Sequence, residues 1–336
     1  MMDDIFGRND GYIHTAAVSI AWREGIDVEE KRSDRKRITK WVSGVNGTKR
    51  AATMRFNPNK ETIVSPFSGN VVSKGNCRSL AEFEDILSNW ACSAGYDRSD
   101  VDVTRVDFAM DCYDEREAAL FRKLCDLMIV AFIVRHGIED KHQYWGETTV
   151  SMRPKNNKAV WGQIAMERYN KALQQMSHGA IWRTELRYEK DLKHPEREQP
   201  ESVREMLEAL QEELRSLPAH YEEAQERVNE AMYARYCDLQ DGSKDSLKVN
   251  QFLYMNSDRV FSRSQIVGFY NLIGAGDGKR CRKRADNYSA RYAHLYITRK
   301  RFEAFIEWVI GQLEKYLTNE VLFTDENSPS EEEKPA

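Results

Sequence analysis

The sequence lacks the markers of metal chemistry built on sulfur or imidazole. Its six cysteines, Cys77, Cys92, Cys112, Cys125, Cys237 and Cys281, form no Cys-x-x-Cys pair and no cluster with histidine. That excludes the common zinc-binding modules and reads as reduced, partly buried thiols. The seven histidines never fall two apart, so there is no His-x-His pair on a strand face and no His-Glu-x-x-His on a helix face. Any metal is thereby pointed toward carboxylates. Long apolar runs are missing too: the longest, Leu127 to Val134, is far short of the ~20 residues of a membrane span. With an acidic, polar N-terminus, the expectation is a cytoplasmic protein with no membrane partner. An excess of one charge is also absent. Fifty Lys and Arg stand against 54 Asp and Glu, a net charge of -4, so an anionic partner must be met by a local patch. No internal repeat is found.

What is present is a chain of 336 residues, 41% of them hydrophobic, enough to bury a substantial core. Tyr12 to Trp22 and Ala52 to Phe56 read as strands, with a dense charge cluster from Glu29 to Arg37 between them and a turn at Asn57-Pro58-Asn59. Ser79 to Ala94 has helical spacing, with Ser79 as cap and Glu82 completing a capping box. Val103 to Asp111 alternates as a strand: Thr104, Val106, Phe108 and Met110 point one way, and Val103, Arg105, Asp107, Ala109 and Asp111 the other. A second helix is expected over Glu115 to Val134. Thr148 to Met152 and Val160 to Lys171 read as strands flanking a turn at Arg153 to Lys158, followed by a strand over Ile181 to Glu189. Strands bracketed by helices predict an α+β fold with a mostly antiparallel sheet.

After His194-Pro195 the composition changes. Glu201 to Asp241 carries 11 acidic and 4 basic residues and predicts two helices meeting near Pro218. Lys244 to Thr318 reverses the sign, with 14 basic and 7 acidic residues, and Asn319 to Ala336 reads as a disordered acidic tail. The expected organisation is a domain over 1–195, an acidic helical segment over 196–242, a basic, mainly helical region over 243–318 and a tail over 319–336.

Three features bear on chemistry. Asp107 and Asp111 share one strand face, and Glu185 lies on another strand beside Arg183 and Arg187. If the strands are neighbours, three carboxylates converge into an oxygen-only set that suits Mg²⁺ or Mn²⁺. The same parity equally describes a solvated face with Arg and Glu paired across strands. Next, Tyr169 sits beside Arg168 and Lys171, cations able to stabilise a phenolate, although tyrosine is commonplace in strands. Glu167 and Tyr169 share a strand face while Arg168 takes the other. Finally, Lys279, Arg280, Arg282, Lys283 and Arg284 follow a glycine-rich turn, and Arg291 lies among Tyr288, Tyr292 and Tyr296. Aromatics spaced by four share a helix face, and the nearby cations, with Arg299, could meet phosphates. A packed aromatic core with solvated cations is the alternative.

Four segments in order resemble the Rep_trans family, the rolling-circle replication initiators of Gram-positive plasmids and related relaxases of integrative conjugative elements. They are Arg55-Phe56-Asn57-Pro58-Asn59-Lys60, Val103 to Asp111, Arg168-Tyr169-Asn170-Lys171 and Trp182-Arg183-Thr184-Glu185-Leu186-Arg187, together covering roughly residues 10 to 195. The resemblance implies an origin-specific DNA strand transferase whose tyrosine attacks a backbone phosphate, leaving a 5′-phosphotyrosyl bond and a free 3′-hydroxyl. On this chain Tyr169 would be the nucleophile, and Asp107, Asp111 and Glu185, with Glu167 as an outside candidate, would hold Mg²⁺ or Mn²⁺. Arg168, Lys171 and Arg183 would steady the phosphate or phenolate. Lys279, Arg280, Arg282, Lys283, Arg284 and Arg291 would contact origin DNA, single-stranded or hairpin. A homodimer and a host helicase are the partners the resemblance implies. Two rivals stay open: a non-catalytic DNA-binding regulator of a mobile element, and a metal nuclease using water.

Overall fold

The computed structural model describes residues 11–21, 29–31, 37–43, 49–57, 62–67, 78–93, 96–138, 157–170, 180–194, 196–241, 249–274 and 278–318. Lys171, Pro58 and Asn59 of the expected turn, the strand expected over 148–152 and the tail from 319 onward lie outside the described residues.

Among the described residues nine strands make one sheet: β1 (Tyr12–Ala21), β2 (Glu29–Lys31), β3 (Arg37–Ser43), β4 (Lys49–Asn57), β5 (Thr62–Phe67), β6 (Val101–Cys112), β7 (Asn157–Trp161), β8 (Ile164–Asn170) and β9 (Trp182–Glu189). Their order is β2-β3-β4-β5-β1-β6-β9-β8-β7, and every pairing is antiparallel. The α+β expectation holds. Glu29 and Lys31 open a hairpin with β3. Of the turn expected at Arg153 to Lys158, Asn157 and Lys158 belong to β7, and positions 153–156 lie outside the described residues. The strand expected over Val160 to Lys171 is corrected: the chain reverses at Gly162-Gln163, between the partners Trp161 and Ile164. Gly162 has φ +54°, a left-handed conformation that a side chain disfavours.

The alternation in β6 is interrupted once. Ala17 pairs with Arg105 but Val18 pairs with Val103, so Thr104 is an extra residue, a bulge whose hydroxyl donates to the Ala17 carbonyl at 3.2 Å. Val103 therefore joins the buried core rather than the charged face on which its parity with Arg105 had placed it.

Helices cover the sheet face that carries Val106, Phe108, Met110, Met166 and Leu186. Helix α1 (Leu80–Ser93) has the expected cap: Ser79 Oγ accepts from the Glu82 N–H at 3.2 Å, and Glu82 accepts from the Arg78 N–H at 2.8 Å. Helix α2 (Glu115–Arg135) starts at Asp114, whose carboxylate accepts from the Arg116 N–H at 2.7 Å. Its segment Leu127 to Ile133 is buried all round, so the longest apolar run of the sequence is a central core helix. Among the described residues no helix is long and apolar enough to cross a membrane. Helix α3 (Val203–Ser216), a 3-10 turn containing Pro218 and α4 (Tyr221–Asp241) bear out the two helices read from the acidic stretch.

The remaining helices are α5 (Val249–Met255), α6 (Arg263–Leu272), α7 (Gly278–Tyr292) and α8 (Arg299–Thr318). The last of them returns to the sheet. Its Tyr316 meets Phe108 of β6 edge-on at 5.6 Å between ring centres, Phe305 meets Phe121 of α2 at 6.2 Å, and Gln312 accepts the Gly11 N–H at 3.3 Å.

Candidate functional site

The site is a charged grid on the other face of the sheet, laid out by register across β8, β9 and β6. Tyr169 faces Arg183, which faces Asp111; Glu167 faces Glu185, which faces Ala109; Ala165 faces Arg187, which faces Asp107. The period of two in each strand supplies the rows, and antiparallel pairing aligns them. Asp107, Asp111, Glu167, Arg183 and Glu185 are all buried, so each charge must be compensated within the grid.

Compensation comes from arginine. The Arg183 guanidinium grips Asp111 with both prongs, Nε to Oδ1 at 2.6 Å and Nη2 to Oδ2 at 2.7 Å. The Arg187 Nε donates to Asp107 Oδ1 at 2.6 Å, and Arg105 adds a second fork to Asp107 at 3.0 and 2.5 Å. Glu167 is paired with Lys158 of β7 and lies 3.5 Å from Arg187, and Glu185 lies 3.8 Å from Arg183. Burial works to lower the basicity of Arg183 and Arg187, but the hydrogen bonds and charges of Asp111 and Asp107 outweigh it and raise both.

Two tyrosines enter this network that sequence reasoning missed. Tyr12 of β1 accepts from Arg183 Nη2 at 2.5 Å and donates to Asp111 Oδ2 at 2.6 Å. Burial, then the charge of Asp111, pushes its phenol far above the ordinary range. Tyr113, 41% exposed, donates to Asp111 Oδ2 at 3.3 Å and is pushed up to about 12, by burial first and Asp111 second. Tyr113 was legible as the residue two beyond Asp111 along the chain. Tyr12 was not, since nothing local ties it to a residue 99 positions away.

Of the expected catalytic residues, Tyr169 and Arg183 are brought together as direct cross-strand partners, with Tyr169 partly exposed. Arg168 is not brought there. Its even position in β8 turns it to the helix-covered face, where it bonds Asp126 of α2 at 2.5 Å and lies 4.7 Å over the Trp182 ring. The phosphate role expected of Arg168 is thus set apart from Tyr169 by the sheet, with the guanidinium held in an ion pair. Tyr188, also on that face, is buried and its phenol raised by burial.

The carboxylates expected to hold metal converge only in part. Asp107, Asp111 and Glu185 share the face, but two of the three are already saturated by guanidinium groups. Among the described residues no three His, Cys, Asp or Glu side chains are grouped closely enough to hold an ion. As arranged, the donor set does not fit Mg²⁺ or Mn²⁺: such an ion binds through one or two carboxylates completed by water and phosphate oxygens, and those of Asp107 and Asp111 are taken by guanidinium groups.

The second candidate surface is α7. It buries Cys281, Ala285 and Tyr288 and exposes all six expected cations: Lys279, Arg280, Arg282, Lys283, Arg284 and Arg291. The one acid on the helix, Asp286, is held by Arg263 at 2.7 Å. Among the described residues no carboxylate pairs with Lys279, Arg282, Lys283 or Arg291. Arg299, by contrast, is taken by Glu222 at 3.2 Å and Glu303 at 3.0 Å. The expected four-residue aromatic stripe is shorter than its spacing suggested: the helix ends at Tyr292, and Tyr296 follows a separate 3-10 turn.

No protein-family model matches the chain, and no curated protein matches it. Among solved structures the chain is similar to the rolling circle replication initiator protein from Geobacillus stearothermophilus. The TM-score is 0.26 and the identity 12%, over 55% of this chain and 76% of that one. A score that low assigns neither fold nor function.

Proposed function

We propose that the protein is a DNA nicking and joining enzyme that starts rolling-circle replication or conjugative transfer, with Tyr169 as its nucleophile. The observation that carries the reading is the register that sets partly exposed Tyr169 directly against Arg183, beside a buried carboxylate pair. The ordered motifs of the sequence add to it.

In the step proposed, the Tyr169 phenol oxygen attacks a backbone phosphorus. The new bond is O–P to tyrosine, the bond broken is P–O3′, and the products are a 5′-phosphotyrosyl link and a free 3′-hydroxyl. The phenol proton leaves to Glu167 or Glu185, the carboxylates of the neighbouring row, and a proton returns to the departing 3′-oxygen. Arg183 would meet the negative charge that builds on the phosphate, and its grip on Asp111 keeps it oriented before reaction. A Mg²⁺ or Mn²⁺ ion bound through Asp107 or Asp111 would have to displace Arg187 or Arg183 from its carboxylate, so no step here is assigned to it. Lys279, Arg280, Arg282, Lys283, Arg284 and Arg291 of α7 hold the DNA backbone. A second copy of the chain and a host helicase are the partners proposed.

The test is a denaturing gel of the protein incubated with labelled single-stranded DNA from the hairpin nearest its gene, with and without Mn²⁺ and Mg²⁺. A covalent species that disappears in Tyr169→Phe is expected. Cleavage without any adduct would favour a water nucleophile, and tight, salt-sensitive binding without cleavage would favour the regulator.

A further inference from the structure

Away from the charged grid, a cluster of tyrosines stands at the exposed junction of α5 and α7. Tyr254 stacks on Tyr288 with ring centres 5.5 Å apart and planes at 29°. Tyr292 lies 4.7 Å from Tyr288 and 5.8 Å from Tyr254. Tyr288 is buried and donates to the Leu253 carbonyl at 3.4 Å, which anchors the group. The other two rings reach the surface. Tyr254 is 38% exposed and its neighbour Met255 is 68% exposed. The Arg291 guanidinium lies 5.9 Å over the Tyr254 ring, and the other five exposed cations of α7 continue along the same helix.

We infer that Tyr254, Tyr292 and Arg291 form a stacking platform for unpaired bases of single-stranded DNA, with the cations of α7 following the phosphates. Aromatic faces beside a positively charged track bind single strands without reading sequence, because every unpaired base offers a π face. Duplex DNA keeps its bases stacked on each other and has none to offer. Propping the two outer rings on a buried third fixes them before binding, which lowers the ordering cost. The inference rests on the DNA-binding half of the proposed function and is independent of its nicking half.

The test measures affinity of the full-length protein for oligo(dT) and for a duplex of random sequence over a salt series. Tyr254→Leu and Tyr292→Leu are each expected to weaken oligo(dT) binding about tenfold, the size of one base–aromatic stack. The salt slope and the duplex affinity should not change. Lys279→Ala with Lys283→Ala should weaken both ligands and flatten the slope by about one for each phosphate left without its lysine. In Tyr254→Trp, oligo(dT) should quench the new indole fluorescence and duplex should not; this readout decides the matter if a leucine variant fails to fold. Leucine variants that bind oligo(dT) like wild type, or an unquenched indole, would overturn the platform while leaving the phosphate track standing. Unchanged binding in the lysine double variant would overturn the DNA reading of α7 and the platform with it.

Discussion

Arg168 and Tyr169 are neighbours in sequence and lie on opposite sides of the sheet. A strand turns successive side chains to opposite faces, so the cation closest to Tyr169 along the chain pairs with α2, and the cation opposite Tyr169 in register is Arg183, one strand away. Arg168→Met is therefore expected to lower stability by roughly 3 kcal/mol, the lower end of the cost of breaking a buried ion pair. It should leave adduct yield per folded molecule unchanged, as denaturant unfolding and the gel assay would measure. Loss of adduct at full stability would return Arg168 to the chemistry. Tyr113 gives a pH signature. Its phenol is raised to about 12 against an unfolded value near 10, so the folded state holds this proton more tightly. Its contribution is complete below about pH 10 and is lost as the pH rises toward about 12. Thermal melts of Tyr113→Phe should lose less stability than wild type across that window, and parallel pH curves would contradict the assignment.

At the scale of elements, the sequence exposed what is local. The alternation of β6, the cap of α1 at Ser79 and Glu82, and the break at Pro218 all follow from periodicity and capping chemistry within a few residues. The bulge at Thr104 and the hairpin at Gly162-Gln163 were hidden. The first exists only in relation to β1, and the second lacks the Asn-Gly or Asp-Gly signature that marks a two-residue turn. The parity of Asp107, Asp111 and Glu185 was legible, but their arginine partners depended on which strands pair and in what register, which distant residues decide. The β1 entry is tight as well: a Cβ on Gly11 would stand 2.3 Å from the Phe108 ring, which is fully buried. Gly11→Ala is thus expected to cost about 1–3 kcal/mol of overpacking in a denaturant titration; no loss would mean that the ring has room to move.

For the molecule as a whole, the C-terminal helix ties the basic region back to the sheet: α8 packs Phe305 on Phe121 and Tyr316 on Phe108. That its apolar side closes on β6 and α2 was not visible in the sequence, because Phe108 and Phe121 are distant along the chain. Deleting residues 299–336 should therefore yield a chain without a cooperative unfolding transition, followed by circular dichroism. A truncated chain that still unfolds cooperatively would favour an independent N-terminal domain. The charge pattern also belongs to this scale. The grid on the sheet is balanced and buried, while α7 is unbalanced and exposed, so of the two only α7 offers uncompensated positive charge to an anionic partner.

The nucleophile is identified by digesting the covalent protein–DNA species with protease and nuclease and locating the attached nucleotide by mass spectrometry. The expected result is a peptide containing Tyr169 that carries a nucleotide through its 5′-phosphate. Attachment at Tyr12, Tyr113 or any other residue, or the absence of a covalent species under conditions where the DNA is cut, would refute the assignment of Tyr169.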